Sequence, residues 1–232
     1  MSEALDKVRG VRELPLFPLP VVLFPGVPLP LHVFEERYRR LLADVRVSNN
    51  LFGVSFFAEG EGERPAVGHV GCVAEVVEVQ PLEDGRSNIL TVGVVRYRVA
   101  DYVESGEPYL VARVEFFEDE PEDEALLARG AAEVTEVFGR IARAVRTLND
   151  DRAALPELST EEPERLSFLV AAAMEMDNEL KQELLELRSG AERLARLSRL
   201  LTQVVSGYEE RASMHKLAKS NGHSARKINI DE

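Results

Sequence analysis

From Tyr109 to Phe117 apolar and polar positions alternate, with Leu110, Ala112, Val114 and Phe116 on one face and Arg113 and Glu115 on the other. That is the period of a half-buried strand. Two runs rich in β-branched residues, Val70 to Val79 and Ile89 to Val99, flank Asp84-Gly85, a hairpin turn signal, and Leu51 to Ala58 is a further strand candidate. One helix interrupts this half. Phe34, Tyr38, Leu41 and Val45 recur at helical spacing, with Glu35/Arg39 and Glu36/Arg40 as i,i+4 pairs on the outer side. Residues 1–118 therefore read as a β-rich subdomain with one inserted helix.

Beyond the acidic stretch Glu118 to Glu124 the period changes. Asp119 as N-cap, with Glu122 three residues on and Pro121 in the first turn, predicts a helix start rather than a functional acidic patch. Leu127, Ala131, Val134, Phe138, Ile141, Val145 and Leu148 then step by four and three, a narrow seam that a partner helix in the same chain would cover. Ala153 to Ser159 reads as a loop, and Ser159 with Glu162 caps a helix carrying Leu166, Leu169 and Ala173. A shorter helix, Asn178 to Leu187, ends at Ser189-Gly190, and a last one carries Leu194, Leu197, Leu201, Val204 and Tyr208. Residues 119–212 are expected as a helical bundle subdomain and 213–232 as a disordered tail, with weak contact to an acidic surface as the alternative for its lysines and arginines.

Composition narrows the function classes. The net charge of −13 over 232 residues sets the whole-molecule field against phosphate backbones and anionic lipid. Six of the twelve prolines fall between Leu14 and Phe34, a run without Asp, Glu, Lys or Arg. Its length and apolarity suit a membrane span, but prolines at that density forbid a helix, at about 3 kcal/mol each. Acidic Asp6 and Glu13 also dilute the basic flank a signal peptide needs. The single cysteine, Cys72, cannot form an internal disulfide and suits a reducing cytoplasm, the expected localisation.

No glycine is followed by lysine, so a P-loop is absent, as are G-x-S-x-G and H-E-x-x-H. His32, His69, His215 and His223 lack ligand partners at useful spacing, and the five lysines sit in termini or on a helix surface. Cys72, in a β-branched strand, reads as a small core residue. The expectation is no catalytic residue, no cofactor and no metal.

Glu13-Leu14-Pro15-Leu16-Phe17-Pro18-Leu19, Val22-Leu23-Phe24-Pro25-Gly26, and Leu29-Pro30-Leu31-His32-Val33-Phe34-Glu35 with Arg37-Tyr38 resemble the opening signature of the Lon protease N-terminal, or Lon substrate-binding, domain. Val67-Gly68 through Val76, Asp84-Gly85-Arg86, Arg96 to Val99, Lys181 to Glu186 and Arg193-Leu194 continue the likeness over roughly residues 11 to 205. The resemblance implies an α+β fold: a PUA-like antiparallel β pseudobarrel with one inserted helix, followed by a C-terminal helical bundle. It further implies a non-catalytic module that binds unfolded or exposed segments of client proteins and works with a separate protease or chaperone. In full Lon proteases an ATPase and a Ser-Lys protease follow this domain, and the expectation here is recognition without either.

The candidate peptide-binding residues are Phe24, Val27 and Leu29 around the Gly26 turn, and the adjacent Phe56 and Phe57, which a strand would point to opposite faces. Core packing is the default reading for each. Two other functions stand beside this one. An RNA-binding PUA-like module would use Arg37, Arg39, Arg40, Arg96 and Arg98, against the acidic field, and a structural subunit would dimerise through the long helix seam.

Overall fold

The computed structural model describes residues 2–57, 64–151, 160 and 162–222. In chain order the elements are α1 (Glu3–Lys7), β1 (Glu13–Leu19), β2 (Pro28–Val33), α2 (Glu36–Arg46), β3 (Leu51–Phe56), β4 (Val70–Pro81), β5 (Ser87–Val103), β6 (Leu110–Phe117), α3 (Glu124–Leu148), α4 (Pro163–Ala173), α5 (Asn178–Glu186) and α6 (Gly190–Gly222). Contacts group them into two units. One holds the residues up to Pro121 with Ser167–Gly190, the other Glu122–Leu166 with Ala191 onward.

In the first unit the strands run β2-β5-β4-β3-β1-β6, and β5 also pairs with β6. That second pairing closes five strands into a PUA-like pseudobarrel and leaves β2 attached to the first half of β5 alone. Among the described residues only β1 with β3 is parallel. The 17-residue β5 bends to serve both ends, with register shifts at Cys72/Ala74 and Val76/Glu78 of β4 where it pairs with β5, and at Val99/Asp101 of β5 where it pairs with β6.

Pairing explains how strands hold the prolines. β1 meets β6 over Glu13 to Leu16 and β3 over Leu16 to Leu19, so Pro15 has a partner on one side only and Pro18 on the other side only. A missing N–H costs little where the ladder is one-sided. Pro28 and Pro30 lie in β2, which pairs on one edge only among the described residues.

Two apolar clusters lie on the two faces of this sheet. One gathers Leu14, Leu16, Val73, Val95, Val99 and Ala112 around the fully buried Tyr97, whose hydroxyl bonds to Ser55 at 2.7 Å. Gly53 and Gly71 leave the room: a Cβ on either would run into the Tyr97 phenol. The other cluster sets Phe17, Phe52, Val54 and Cys72 under Tyr38, Leu41, Leu42 and Val45 of α2. Phe17 stacks on Tyr38 with centroids 3.8 Å apart, a contact worth about 0.5–1.5 kcal/mol beyond area burial. Phe34 precedes the helix and is 59% exposed, so the α2 seam begins at Tyr38 instead. Glu35 pairs with Arg37, and Arg40 pairs with Asp44, in place of the expected Glu35/Arg39 and Glu36/Arg40 ladder.

The Ser167–Gly190 stretch is tied to the first unit by Phe168 against Phe24 at 5.9 Å, by Asn178 donating to the Pro20 carbonyl and by Gln182 donating to the Val70 carbonyl. Arg96 completes the tie. It is 2% exposed, donates to the carbonyls of Leu185 (3.0 Å) and Leu187 (2.5 Å), pairs with Asp119 at 2.5 Å and lies over the rings of Phe117 and Phe168.

Asp119 is therefore not a helix cap. Asp123 caps α3, accepting from the Leu126 N–H at 3.0 Å, because the ion pair with Arg96 draws the earlier carboxylate into the first unit. In the second unit α3 and α6 run in the same direction: Glu122 accepts from the Ala191 N–H, Gly130 lies against Leu194, Arg140 forks onto Glu209 with both bonds at 2.8 Å, and Asp150 receives His215. Leu127, Ala131, Val134, Ile141 and Ala144 of α3 and Leu194, Leu197, Leu201, Val205 and Ala212 of α6 are buried. The long seam thus finds its partner helix within the chain. On α6 it passes from Leu201 to Val205, leaving Val204 38% exposed, since a straight helix drifts from a strict three-four repeat. Gly190 opens α6 rather than closing α5, which ends in extended backbone at Leu187. Helix α6 continues through the first ten residues of the expected tail, to Gly222; residues 223–232 and the proposed cap Ser159 lie outside the described residues.

Candidate protein-binding surface

Strand alternation divides β2 into two faces. Leu29, Leu31 and Val33 turn toward the α2 cluster, with Val33 buried and the two leucines half-buried; Pro28, Pro30 and His32 are exposed on the other face. Val27, Leu29, Leu31, Leu19, Val79 and Tyr109 form a half-buried apolar rim on the α2 cluster. Two candidate residues, Val27 and Leu29, are thus brought together. Phe56 is the register partner of Leu19, and the Phe57 N–H donates to the Leu19 carbonyl at 2.9 Å; both phenylalanines are half-buried, and the structure does not pack either against the α2 cluster with Val27 and Leu29. Phe24 is different. It is fully buried beneath Phe168 and serves packing.

The rim stands on a rigid turn. Gly26 has φ of 75°, donates to the Gly93 carbonyl at 2.8 Å, and the Gly93 N–H returns to Val27 at 3.0 Å. Gly93 has no space for a side chain, since a Cβ would meet the Phe24 carbonyl. At the other end the Tyr109 hydroxyl donates to Asp44 at 2.9 Å, and burial together with that carboxylate raises its pKa. Beside it Glu35, Glu36, Arg37, Arg40, Glu107 and Pro108 line an open depression of about 740 Å³. Apolar side chains over fixed backbone can seat those of an extended segment with little ordering cost.

Cys72 is fully buried, and burial pushes its thiol up to about 12. His32 bonds to Asn88 at 2.8 Å and His215 to Asp150 at 3.1 Å, and His223 lies outside the described residues. Among the described residues no group of three His, Cys, Asp or Glu side chains is arranged to hold a metal, and no helix is long and apolar enough to cross a membrane. The arginines of the RNA reading are largely committed: Arg96 is buried, Arg37 and Arg40 are ion-paired, and Arg98 donates to the Gly68 carbonyl beside Phe117.

Residues 13–203 match the family model of the ATP-dependent protease La (LON) substrate-binding domain. Lon protease 2 of Herpetosiphon aurantiacus is 30% identical over 213 residues, covering 89% of this chain and 26% of that protein. Lon protease of Aquifex aeolicus is 26% identical over 222 residues, covering 90% and 27%. The chain thus spans about a quarter of the length of these relatives. A crystal structure of a Lon N-terminal domain protein from Xanthomonas campestris superposes with a TM-score of 0.54 at 25% identity, over 81% of this chain and 97% of that one. The N-terminal domain of Mycobacterium avium complex Lon protease gives 0.60 at 17% identity, over 82% and 98%, a likeness of fold.

Proposed function

We propose that this chain, which belongs to the family of LON substrate-binding domains, is a recognition module that captures exposed apolar segments of unfolded proteins and performs no chemistry on them. The observation that carries this reading is the family match across residues 13–203. The apolar rim supports it physically, with Val27, Leu29, Phe56 and Phe57 as the contacts we propose. Each client side chain buried there contributes about 1.5–3 kcal/mol. Association itself costs several kcal/mol, so several anchors must engage together. That requirement favours unfolded chains, whose apolar residues cluster on an accessible strand, over folded proteins with isolated surface leucines.

In this reading the module works in the cytoplasm as part of protein quality control, and captured clients pass to a separate protease or chaperone. The test is capture of a permanently unfolded, carboxymethylated protein by the purified chain, together with suppression of aggregation of a thermally unfolded one. Binding at micromolar concentration that Leu29→Ser with Phe57→Ser weakens at least tenfold supports the reading. No binding and no suppression at tens of micromolar overturns it.

A further inference from the structure

Resting on that recognition role, we infer that the outer face of β2 and β5 selects client segments in which apolar residues are flanked by lysine or arginine. Three cross-strand rows build this face. Pro28 stands opposite Val92 and then Glu75, Pro30 opposite Leu90 and then Glu78, and His32 opposite Asn88 and then Gln80. Directly opposed residues lie about 4.5–5.5 Å apart, so each row is one continuous strip of side chains. The third row is locked by the His32 to Asn88 bond at 2.8 Å, and Phe34 packs on the His32 ring with centroids 5.9 Å apart.

The face is apolar on its β2 side and acidic on its β4 side. Pro28 and Pro30 are exposed, Leu90 and Val92 are half-buried, and Phe34 at the end is 59% exposed. Prolines and a stacked aromatic ring lose little freedom on contact, which lowers the ordering cost of binding. Of the two glutamates, Glu75 is already paired with Lys7 at 2.6 Å. Glu78 is exposed and makes no ion pair among the described residues, and it stands across Leu90 from Pro30. An apolar side chain resting on Pro30 and Leu90 therefore sets its neighbour beside the exposed Glu78 carboxylate. A cationic neighbour gains there and an anionic one is repelled. The same prolines strip donors from the β2 edge that no described strand pairs, which blunts strand addition there, so on this side of β2 contact runs through the face.

The experiment uses the full chain and two fluorescein-labelled ten-residue peptides of alternating leucine and threonine, one carrying two central lysines and the other two central glutamates. Anisotropy should show the lysine peptide binding at least tenfold more tightly. Glu78→Lys should invert that preference, a gain that a misfolded variant cannot produce, and Leu90→Asp or Phe34→Ser should weaken the lysine peptide at least fivefold. If Glu78→Lys leaves the preference unchanged while the native chain still captures the carboxymethylated protein, this inference falls and the recognition role stands. If the native chain captures neither peptide nor unfolded protein, the recognition role itself falls and takes this inference with it.

Discussion

Arg96 and Asp119 form a buried ion pair at 2.5 Å, 2% and 9% exposed, and the same guanidinium holds the carbonyls that end α5. The pair joins a barrel strand to the segment that leaves the barrel. Removing one member of such a pair strands the other charge in low dielectric. Arg96→Met and Asp119→Leu should each destabilise the protein by about 3–5 kcal/mol. Double replacement by Arg96→Met with Asp119→Leu should cost markedly less than the sum, which urea unfolding of the four proteins measures.

Packing inside the barrel should respond to a single methyl group. Gly53→Ala meets Leu14, Leu16 and the Tyr97 hydroxyl, all of them side chains, whereas Gly71→Ala also meets the Val54 carbonyl. We expect about 1–3 kcal/mol of destabilisation from either. Adding Tyr97→Phe should recover part of the loss for Gly53→Ala but not for Gly71→Ala, where the backbone clash remains. Thermal unfolding of the singles and doubles separates the two.

The Cys72 thiol, pushed up to about 12 by burial, should ignore thiol reagents in the native state. Titration with an aromatic disulfide at pH 8 should give no released thiolate until denaturant is added, and one equivalent afterwards. Reaction within minutes in native buffer would show that the α2 cluster opens readily.

Acid should loosen the second unit first at its helix pair. Lys219 and His215 hold the Asp150 carboxyl below its ordinary value, and Arg140 does the same for Glu209. A carboxyl depressed in the folded state contributes stability that is fully present above its unfolded pKa, about 4, and is lost as pH falls through the folded value. Amide exchange along α6 from about residue 209 should therefore accelerate as pH drops below about 4, after correction for intrinsic rates. Asp150→Asn should bring the faster exchange of the last turns to neutral pH.

Much of this fold was legible because periodicity is a local property. The strands β3 to β6, the hairpin at Asp84-Gly85 and the seams of α3 and α6 all stand near where alternation or three-four spacing predicts them. Asp119 differs from its sequence pattern because a carboxylate three residues before Glu122 looks the same whether it caps a helix or meets an arginine twenty-three residues earlier. Within the candidate set, Phe24 and Phe57 are alike in composition. One is sealed under Phe168, and the other is half-buried just past the end of β3.

By itself the sequence determined the barrel opening: a charge-free run with six prolines excludes a helix wherever it lies, and its order of residues marks the family. Tertiary structure alone decided which prolines meet one-sided ladders, which leucines of β2 face α2, and that Ser167–Gly190 joins the strands rather than the long helices. The reason is physical. Helix and strand periods are set by neighbours within a few residues, whereas burial and ion pairing are set by segments 20 to 160 residues away, which meet only once the chain has folded.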